Sequence, residues 1–319
     1  MMIQDARPMF LGIGANKAGT SWVHSQLSKH PQIWVTPVKE VHFFDRSPIY
    51  PSPNYCSRSS PLSRILNADT WERERIKKSL KIIFKSVFNG KIDESIWWTH
   101  WSFGYYNEAW YQKLFPTNTA HFTYGEITPS YSILEEQDIS NIKRINAGMK
   151  LLFFIRNPID RAWSSIRHSV DIGKLNINLD AHEQIIEALK QPRVVMRGDY
   201  ERTLENYLKY FDSSQILICF YEAIQEDPIG LMSGITQFLG VDYFEEKAVD
   251  NKSRVNVSSS YLMPAVVKDY LCKQYSPMIN RLSQTLGSYA KVWEQSLFAS
   301  EIELDTVRDK SQFLPTLHP

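Results

Sequence analysis

The sequence predicts an α/β fold: a central, mostly parallel sheet flanked by helices in three layers. Three observations predict it. Apolar runs of strand length recur at residues 9–14, 150–155 and from 216, each followed by a helical pattern. A small-residue turn bounded by Gly14 and Gly19 links the first run to a helix start. The 319 residues are 43% hydrophobic, which suffices for one large core, and no internal repeat or low-complexity tract interrupts them.

The elements follow in order. Residues 9–14 read as a strand and TSWVHSQLSKH, from Thr20, as the first helix. Residues 33–36 make a short strand that Pro37 ends, and residues 39–45 follow as a loop or short helix. Residues 48–63 are rich in Ser and Pro and read as an exposed loop, and 71–88 has helical periodicity with a charged face. An aromatic segment, SIWWTHWSFGYYNEAWYQKLF, comes next. Residues 50–118 therefore read as a helical, aromatic-rich insert within one domain spanning 1–319. AHFTYGEITPSY is a strand that turns at Thr128-Pro129, and KLLFFI (150–155) is a buried strand with a helix from Pro158. Helices are expected at 193–210, at 228–239 with Gly240 as its stop, and at 263–286, interrupted near Pro277. ILICFYEAI, from Ile216, is the last strand.

A strand, a glycine-bounded turn and a helix N-terminus form an anion site, because first-turn amides and the helix dipole face the loop. GANKAGTS has the glycine spacing of a nucleotide phosphate loop, but Thr20 stands where that motif has its lysine. The lysine here is Lys17, inside the loop. The fold this implies is like that of the P-loop NTPases, with an anion other than a triphosphate end. The blander alternative is an ordinary βα turn with a surface lysine. A second anion candidate is FFIRNPIDRAWSS. Arg156 ends its strand on the rim where open α/β sheets bind ligands, and Ser164 lies two turns into the helix. Arginine suits a phosphate clamp, although Arg156 could equally pair with Asp160 or a helix end.

GANKAGTSW followed by KEVHFFD resembles the sulfotransferases that use 3′-phosphoadenosine 5′-phosphosulfate (PAPS). KEVHFFD, GEITPSY and RGDYERTLENYLKYF are most similar to the branch holding heparan sulfate sulfotransferases and many bacterial enzymes. The resemblance runs from about residue 8 to residue 293. It implies that the first loop holds the 5′-phosphosulfate, with the amides of Ala18, Gly19, Thr20 and Ser21 and the Lys17 ammonium around it. It implies that Arg156 and Ser164 hold the 3′-phosphate. It implies Glu40 as the base that deprotonates an acceptor hydroxyl, less readily an amine, with His42 and Asp45 in support; on the residues alone Glu40 and His42 are both candidates. Lys39 is a candidate for acceptor or sulfate contact. Lys252 and Arg254 are carried over to the cofactor loop, although NKSRVNVSS lacks the glycine usual there. Ile127 stands where glycan-modifying relatives tend to have lysine, which weakens a polysaccharide reading. Trp98 and Trp101 are candidate platforms for a sugar or lipid acceptor, the alternative being that these rings form core.

The rest of the composition excludes classes. Thirty-six basic against 35 acidic residues, net +1, argues against a nucleic-acid binder. Three scattered cysteines (Cys56, Cys219, Cys272) carry neither metal spacing nor a disulfide framework, and Cys219 reads as a buried thiol. No metal is expected, and no stretch has the length of a membrane span or signal peptide. These features suit a cytoplasmic protein, and the resemblance implies an enzyme that transfers the sulfuryl group of PAPS to a glycan, glycolipid or small-metabolite hydroxyl, leaving adenosine 3′,5′-bisphosphate. The alternatives are a P-loop kinase and a non-catalytic nucleotide-binding protein of the same fold. The oligomeric state is open.

Overall fold

The computed structural model describes residues 7–116, 123–242 and 261–297. Its sheet has five strands: β1 (Phe10–Gly14), β2 (Ile33–Val35), β3 (Thr123–Ile127), β4 (Lys150–Ile155) and β5 (Ile216–Phe220). They lie in the order β2-β3-β1-β4-β5, and every described pairing is parallel. β1, β3 and β5 are buried at every position. Helices cover both faces, so these strands read as continuous apolar runs rather than alternating ones.

The helices are α1 (Thr20–Leu27), α2 (Pro61–Leu66), α3 (Thr70–Phe88), α4 (Ile92–Phe103), α5 (Glu108–Gln112), α6 (Glu136–Ile145) and α7 (Pro158–Asp171). They continue with α8 (His182–Leu189), α9 (Pro192–Val195), α10 (Tyr200–Leu208), α11 (Ala223–Glu226), α12 (Pro228–Leu239), α13 (Ala265–Leu286) and α14 (Ser288–Ser296). α12 ends as expected: Gly240 takes the left-handed conformation, φ 78°, and its amide donates to the carbonyls of Gln237 and Thr236.

The insert, α2 to α5, hangs from the β2 edge. α3 starts on a reciprocal cap: the Glu72 amide donates to Asp69 at 2.7 Å and the Asp69 amide donates to Glu72 at 3.0 Å. α3 and α4 form a helical hairpin. The Trp97 and Trp101 rings stack at 5.8 Å, and Trp101 meets Trp110 at 5.5 Å. Trp34 of β2 meets Trp97 and Phe115 edge-on at 6.5 and 6.0 Å, which ties the insert to the sheet. Arg64 is buried over the Tyr106 ring and donates to four carbonyls, Arg58, Ser59, Ser102 and Gly104. The aromatic segment thus builds the insert's own core.

Two helices depart from the sequence reading. The expected helix over 193–210 is broken into α9, a 3-10 turn (Met196–Gly198) and α10. Asp199 starts α10 anew by accepting the Arg202 amide at 3.1 Å. Gly198 packs on the buried Arg161 guanidinium, whose Nη2 would lie 2.7 Å from any added Cβ. The expected break near Pro277 does not occur, and α13 runs unbroken for 22 residues. Pro277 faces solvent, where water can take the carbonyl it leaves unpaired, while Leu271, Tyr275, Met278 and Ile279 anchor the helix on both sides.

Candidate active site

β1 and β4 are neighbours, so the loops at their carboxyl ends share one rim, where the sheet order reverses. Gly19 caps α1 with φ 80° and offers no side chain to its first-turn amides, which leaves them facing the loop. A larger residue is strained there: a Cβ would lie 2.2 Å from Ile224 Cδ1 and 3.0 Å from the Tyr221 ring, so those side chains would have to shift. Ala18 and Thr20 are buried beneath, and Ser21 lies in the first turn of α1.

Lys17 projects from this loop into a cationic setting. Its pKa is lowered to about 8, first by burial, then by Arg156 and Arg167, with Lys39 adding to the effect and Asp171 opposing it. Arg156 donates to the Lys17 carbonyl at 3.5 Å, and its guanidinium lies 4.4 Å from the Tyr221 ring centre. Its backbone is held by the Tyr200 hydroxyl, which donates to the Arg156 carbonyl at 2.8 Å. Asn157 caps α7 by accepting the Ile159 amide, and Ser164 lies buried further along that helix. Like charges gathered at a partly desolvated rim are costly unless an anion joins them.

After β2 the chain runs without regular structure through the segment that carries Lys39, Glu40, His42 and Asp45. Its Glu40 amide donates to the Ile127 carbonyl at 3.1 Å. Glu40 contacts Lys39 through Oε1, and its Oε2 lies 3.4 Å from His42 Nε2, too oblique for a directed hydrogen bond. On the other ring nitrogen, His42 Nδ1 meets Asp45 Oδ2 at 2.7 Å. Burial opposes the imidazolium, but the Asp45 and Glu40 carboxylates outweigh it and raise the His42 pKa to about 9. Burial likewise works against the Glu40 carboxylate, yet His42 and Lys39 hold its pKa well below the usual range. Glu40 is 33% exposed while His42 and Asp45 are sealed. Lys17 (φ 69°), Glu40 (φ 68°) and His42 (φ 57°) all adopt the left-handed backbone that non-glycine residues avoid. Such strain persists only where surrounding contacts over-determine it.

Those contacts come from a buried carboxyl that sequence reasoning missed. Glu126, in β3, accepts from the hydroxyls of Thr128 (2.6 Å), Tyr131 (2.7 Å) and Tyr111 (3.0 Å). The Tyr131 hydroxyl in turn accepts the Phe43 amide at 3.0 Å, and Thr128 Oγ1 lies 3.5 Å from the His42 amide. Phe43 stacks on Tyr111 at 4.3 Å and Phe44 packs edge-on to Tyr131, so both rings anchor the segment. A second missed carboxyl, Glu222, follows β5. It accepts the Asn157 amide at 3.1 Å and the Trp293 indole N–H at 2.9 Å, and burial raises its pKa to about 7. His168 of α7 also belongs to the site. Burial, then the Lys17 charge, lowers its pKa, and it feels Glu40. The one sequence signal for the two carboxyls was their position within or directly after an apolar strand.

The site thus brings together Lys17, Lys39, Glu40, His42, Asp45 and Arg156. Trp98 is half-buried against the insert core. Trp101 is 2% exposed, with its ring taken up by Trp97 and Trp110. Lys252 and Arg254 lie outside the described residues. Among the described residues no group of three His, Cys, Asp or Glu side chains is placed to hold a metal.

Known proteins resemble this chain in sequence and in fold. Residues 139–265 match the sulfotransferase domain model. The human bifunctional heparan sulfate N-deacetylase/N-sulfotransferase 2 is 25% identical over 255 residues, 75% of this chain and 23% of that protein. Human carbohydrate sulfotransferase 15 is 23% identical over 330 residues, 90% of this chain and 54% of that protein. The chain is similar to the sulfotransferases over most of its length. The fold agrees. A sulfotransferase structure from Alicyclobacillus acidocaldarius superposes with a TM-score of 0.60 at 23% identity, covering 90% of this chain and 99% of that one. The chain spans less than two thirds of the length of the two curated relatives named. The matched domain segment contains Arg156, Ser164 and Glu222, while Lys17 and Glu40 precede it.

Proposed function

We propose that this protein is a sulfotransferase that moves a sulfuryl group from PAPS to a hydroxyl of a carbohydrate-bearing acceptor, with Glu40 as the base. The observation that carries the reading is the cationic rim: Arg156, Arg167 and Lys39 gather around Lys17 and add to burial in lowering its pKa to about 8. A rim of that kind fits a ligand with several negative charges. The amides of Ala18 to Ser21 and the Lys17 ammonium would hold its 5′ end, and Arg156 and Ser164 its 3′-phosphate. Bound there, PAPS supplies the sulfuryl group and leaves adenosine 3′,5′-bisphosphate as product.

The chain's own residues divide the remaining work. Lys17 offsets negative charge on the leaving phosphate, and transfer of this kind depends on placement and electrostatics more than on covalent help. Glu40 is ionised and partly open to solvent, so it can take the acceptor proton. His42 is sealed and held protonated between two carboxylates, which suits it to orienting Glu40 rather than serving as base. Lys39 neutralises Glu40; a lysine drawn off toward a bound anion would leave Glu40 more basic when proton transfer is needed. Lys39 and Trp98 are the proposed acceptor contacts, and Trp101 supports them from the core.

The test is a screen of sugar, glycolipid and small-molecule hydroxyls with radiolabelled PAPS, run beside calorimetry with adenosine 3′,5′-bisphosphate and ATP. The reading expects label transfer by the native protein, tighter binding of the bisphosphate, and a Glu40→Ala variant that binds it but transfers no label. Tighter ATP binding would favour a P-loop kinase, and bisphosphate binding without transfer to any acceptor would favour a non-catalytic protein.

A further inference from the structure

The tip of the α3–α4 hairpin carries a feature that sulfuryl transfer does not use. Phe84 (71% exposed), Val87 (52%) and Phe88 (92%) end α3, and Ile92 (53%) and Ile96 (60%) begin α4. Five large apolar side chains on one turn of a hairpin exceed the scattered single exposures normal for a protein surface. The opposite side of α4 is engaged in the Trp97–Trp101–Trp110 stack, so the tip is held rigidly outward. At 100° per residue, Phe84 and Phe88 share one arc of α3 with Lys77, Lys81, Lys85 and Lys78. Lys77 is taken by Glu74 at 2.7 Å, and Lys91 faces Glu94 at 3.9 Å. Lys78, Lys81 and Lys85 form no ion pair among the described residues. The nearby carboxylates are Glu74 on α3, which pairs with Lys77 and feels the Lys81 charge, and Asp93 and Glu94 on α4.

We propose that this tip docks on an anionic lipid surface, with Phe84, Val87, Phe88, Ile92 and Ile96 entering the headgroup boundary and Lys78, Lys81 and Lys85 meeting lipid phosphates. Apolar rings bordered by cations are what an interfacial helix presents to a membrane. No described helix is long and apolar enough to cross a membrane, so the contact is peripheral. The charge pattern favours lipid over a second copy of the chain. A two-fold pairing of this face would set its lysines against their own copies.

Co-sedimentation with sucrose-loaded vesicles tests it, using the full chain with equimolar phosphatidylcholine and phosphatidylglycerol against phosphatidylcholine alone. The native protein pellets with the anionic vesicles, less so in high salt, and far less with the neutral ones. Lys81→Glu/Lys85→Glu and Phe84→Ser/Phe88→Ser each lower the partition coefficient by about tenfold or more. Bisphosphate binding and thermal melts stay at native values in both variants, which separates loss of docking from loss of fold. No pelleting of the native protein, or pelleting unchanged in both variants, overturns the proposal. A concentration-dependent dimer abolished by Phe84→Ser/Phe88→Ser, without vesicle binding, overturns it in favour of self-association. The readout is independent of the sulfuryl-transfer reading, because it involves neither PAPS nor acceptor.

Discussion

The Tyr131 hydroxyl stands between Glu126 and the strained segment that carries Glu40. It donates to Glu126 Oε1 at 2.7 Å and accepts the Phe43 amide at 3.0 Å. One buried carboxyl therefore sets the position of the proposed base through an intermediary ring. Glu126→Ala removes the acceptor of three buried hydroxyls and should destabilise the fold by ~3 kcal/mol or more. Glu126→Gln keeps part of the network. It should lower kcat on the order of 10–100-fold with bisphosphate affinity unchanged, since a small misplacement is felt in turnover. Steady-state kinetics beside calorimetry check both.

Lys17 titrates near the working range. Its pKa of about 8 means the free protein loses this cation as pH rises through that value. Bisphosphate affinity should fall above pH 8, toward tenfold per pH unit while the bound lysine stays charged. Lys17→Arg keeps its charge throughout, so any residual binding should lose this alkaline limb. Calorimetry from pH 6.5 to 9.5 reads it.

The His42–Asp45 pair should give the fold a pH signature. The folded His42 pKa is raised from 6.5 to about 9, so the native state holds a proton that the unfolded chain releases earlier. That contribution is complete below pH 6.5 and disappears as pH rises through 9. His42→Asn leaves Asp45 buried without its cation and should cost about 3–5 kcal/mol at neutral pH. Urea melts at pH 6, 7.5 and 9 distinguish the two proteins, with the gap narrowing as pH rises.

Glu222 works in the same direction at lower pH. Its folded pKa is raised from 4.5 to about 7, so its ionisation counts against the native state. Stability associated with this group is complete below pH 4.5 and lost as pH rises through 7. Glu222→Gln retains an oxygen for the Asn157 and Trp293 N–H groups and should flatten that part of the stability–pH curve. A Glu222→Gln curve parallel to the native one would remove Glu222 as its source.

Gly19→Ala tests the loop. The left-handed backbone at φ 80° disfavours any Cβ, and the methyl group would press on Ile224 and Tyr221. The variant should fold, at a cost of about 1–2 kcal/mol, and bind bisphosphate at least roughly tenfold more weakly.

The sheet was legible because a strand covered on both faces must be a short apolar run, as 150–155 is. The anion loops were legible because glycines, a lysine and an arginine at strand ends have few other uses. Glu40, His42 and Asp45 could be named together, but not which of them is protonated, since that depends on how deeply each is sealed. Glu126 and Glu222 were missed because a carboxylate resembles a surface residue until its partners are known, and those lie up to 71 positions away. The break at Gly198 was hidden for the same reason. It depends on Arg161, which is distant in sequence and adjacent in space. Pro277 misled in the other direction, because tertiary anchoring overrode a local rule.

β2 and β3 are neighbours, with Ile33 opposite Thr123, and the insert occupies the crossover between them. The chain leaves the sheet at one strand and re-enters it at the next. The proposed acceptor half is therefore one contiguous cassette with two junctions, both on the same sheet edge. Exchanging that cassette would leave the Lys17 and Arg156 loops on their own strands, but the new one would have to restore the Tyr111 contacts to Glu126 and Phe43.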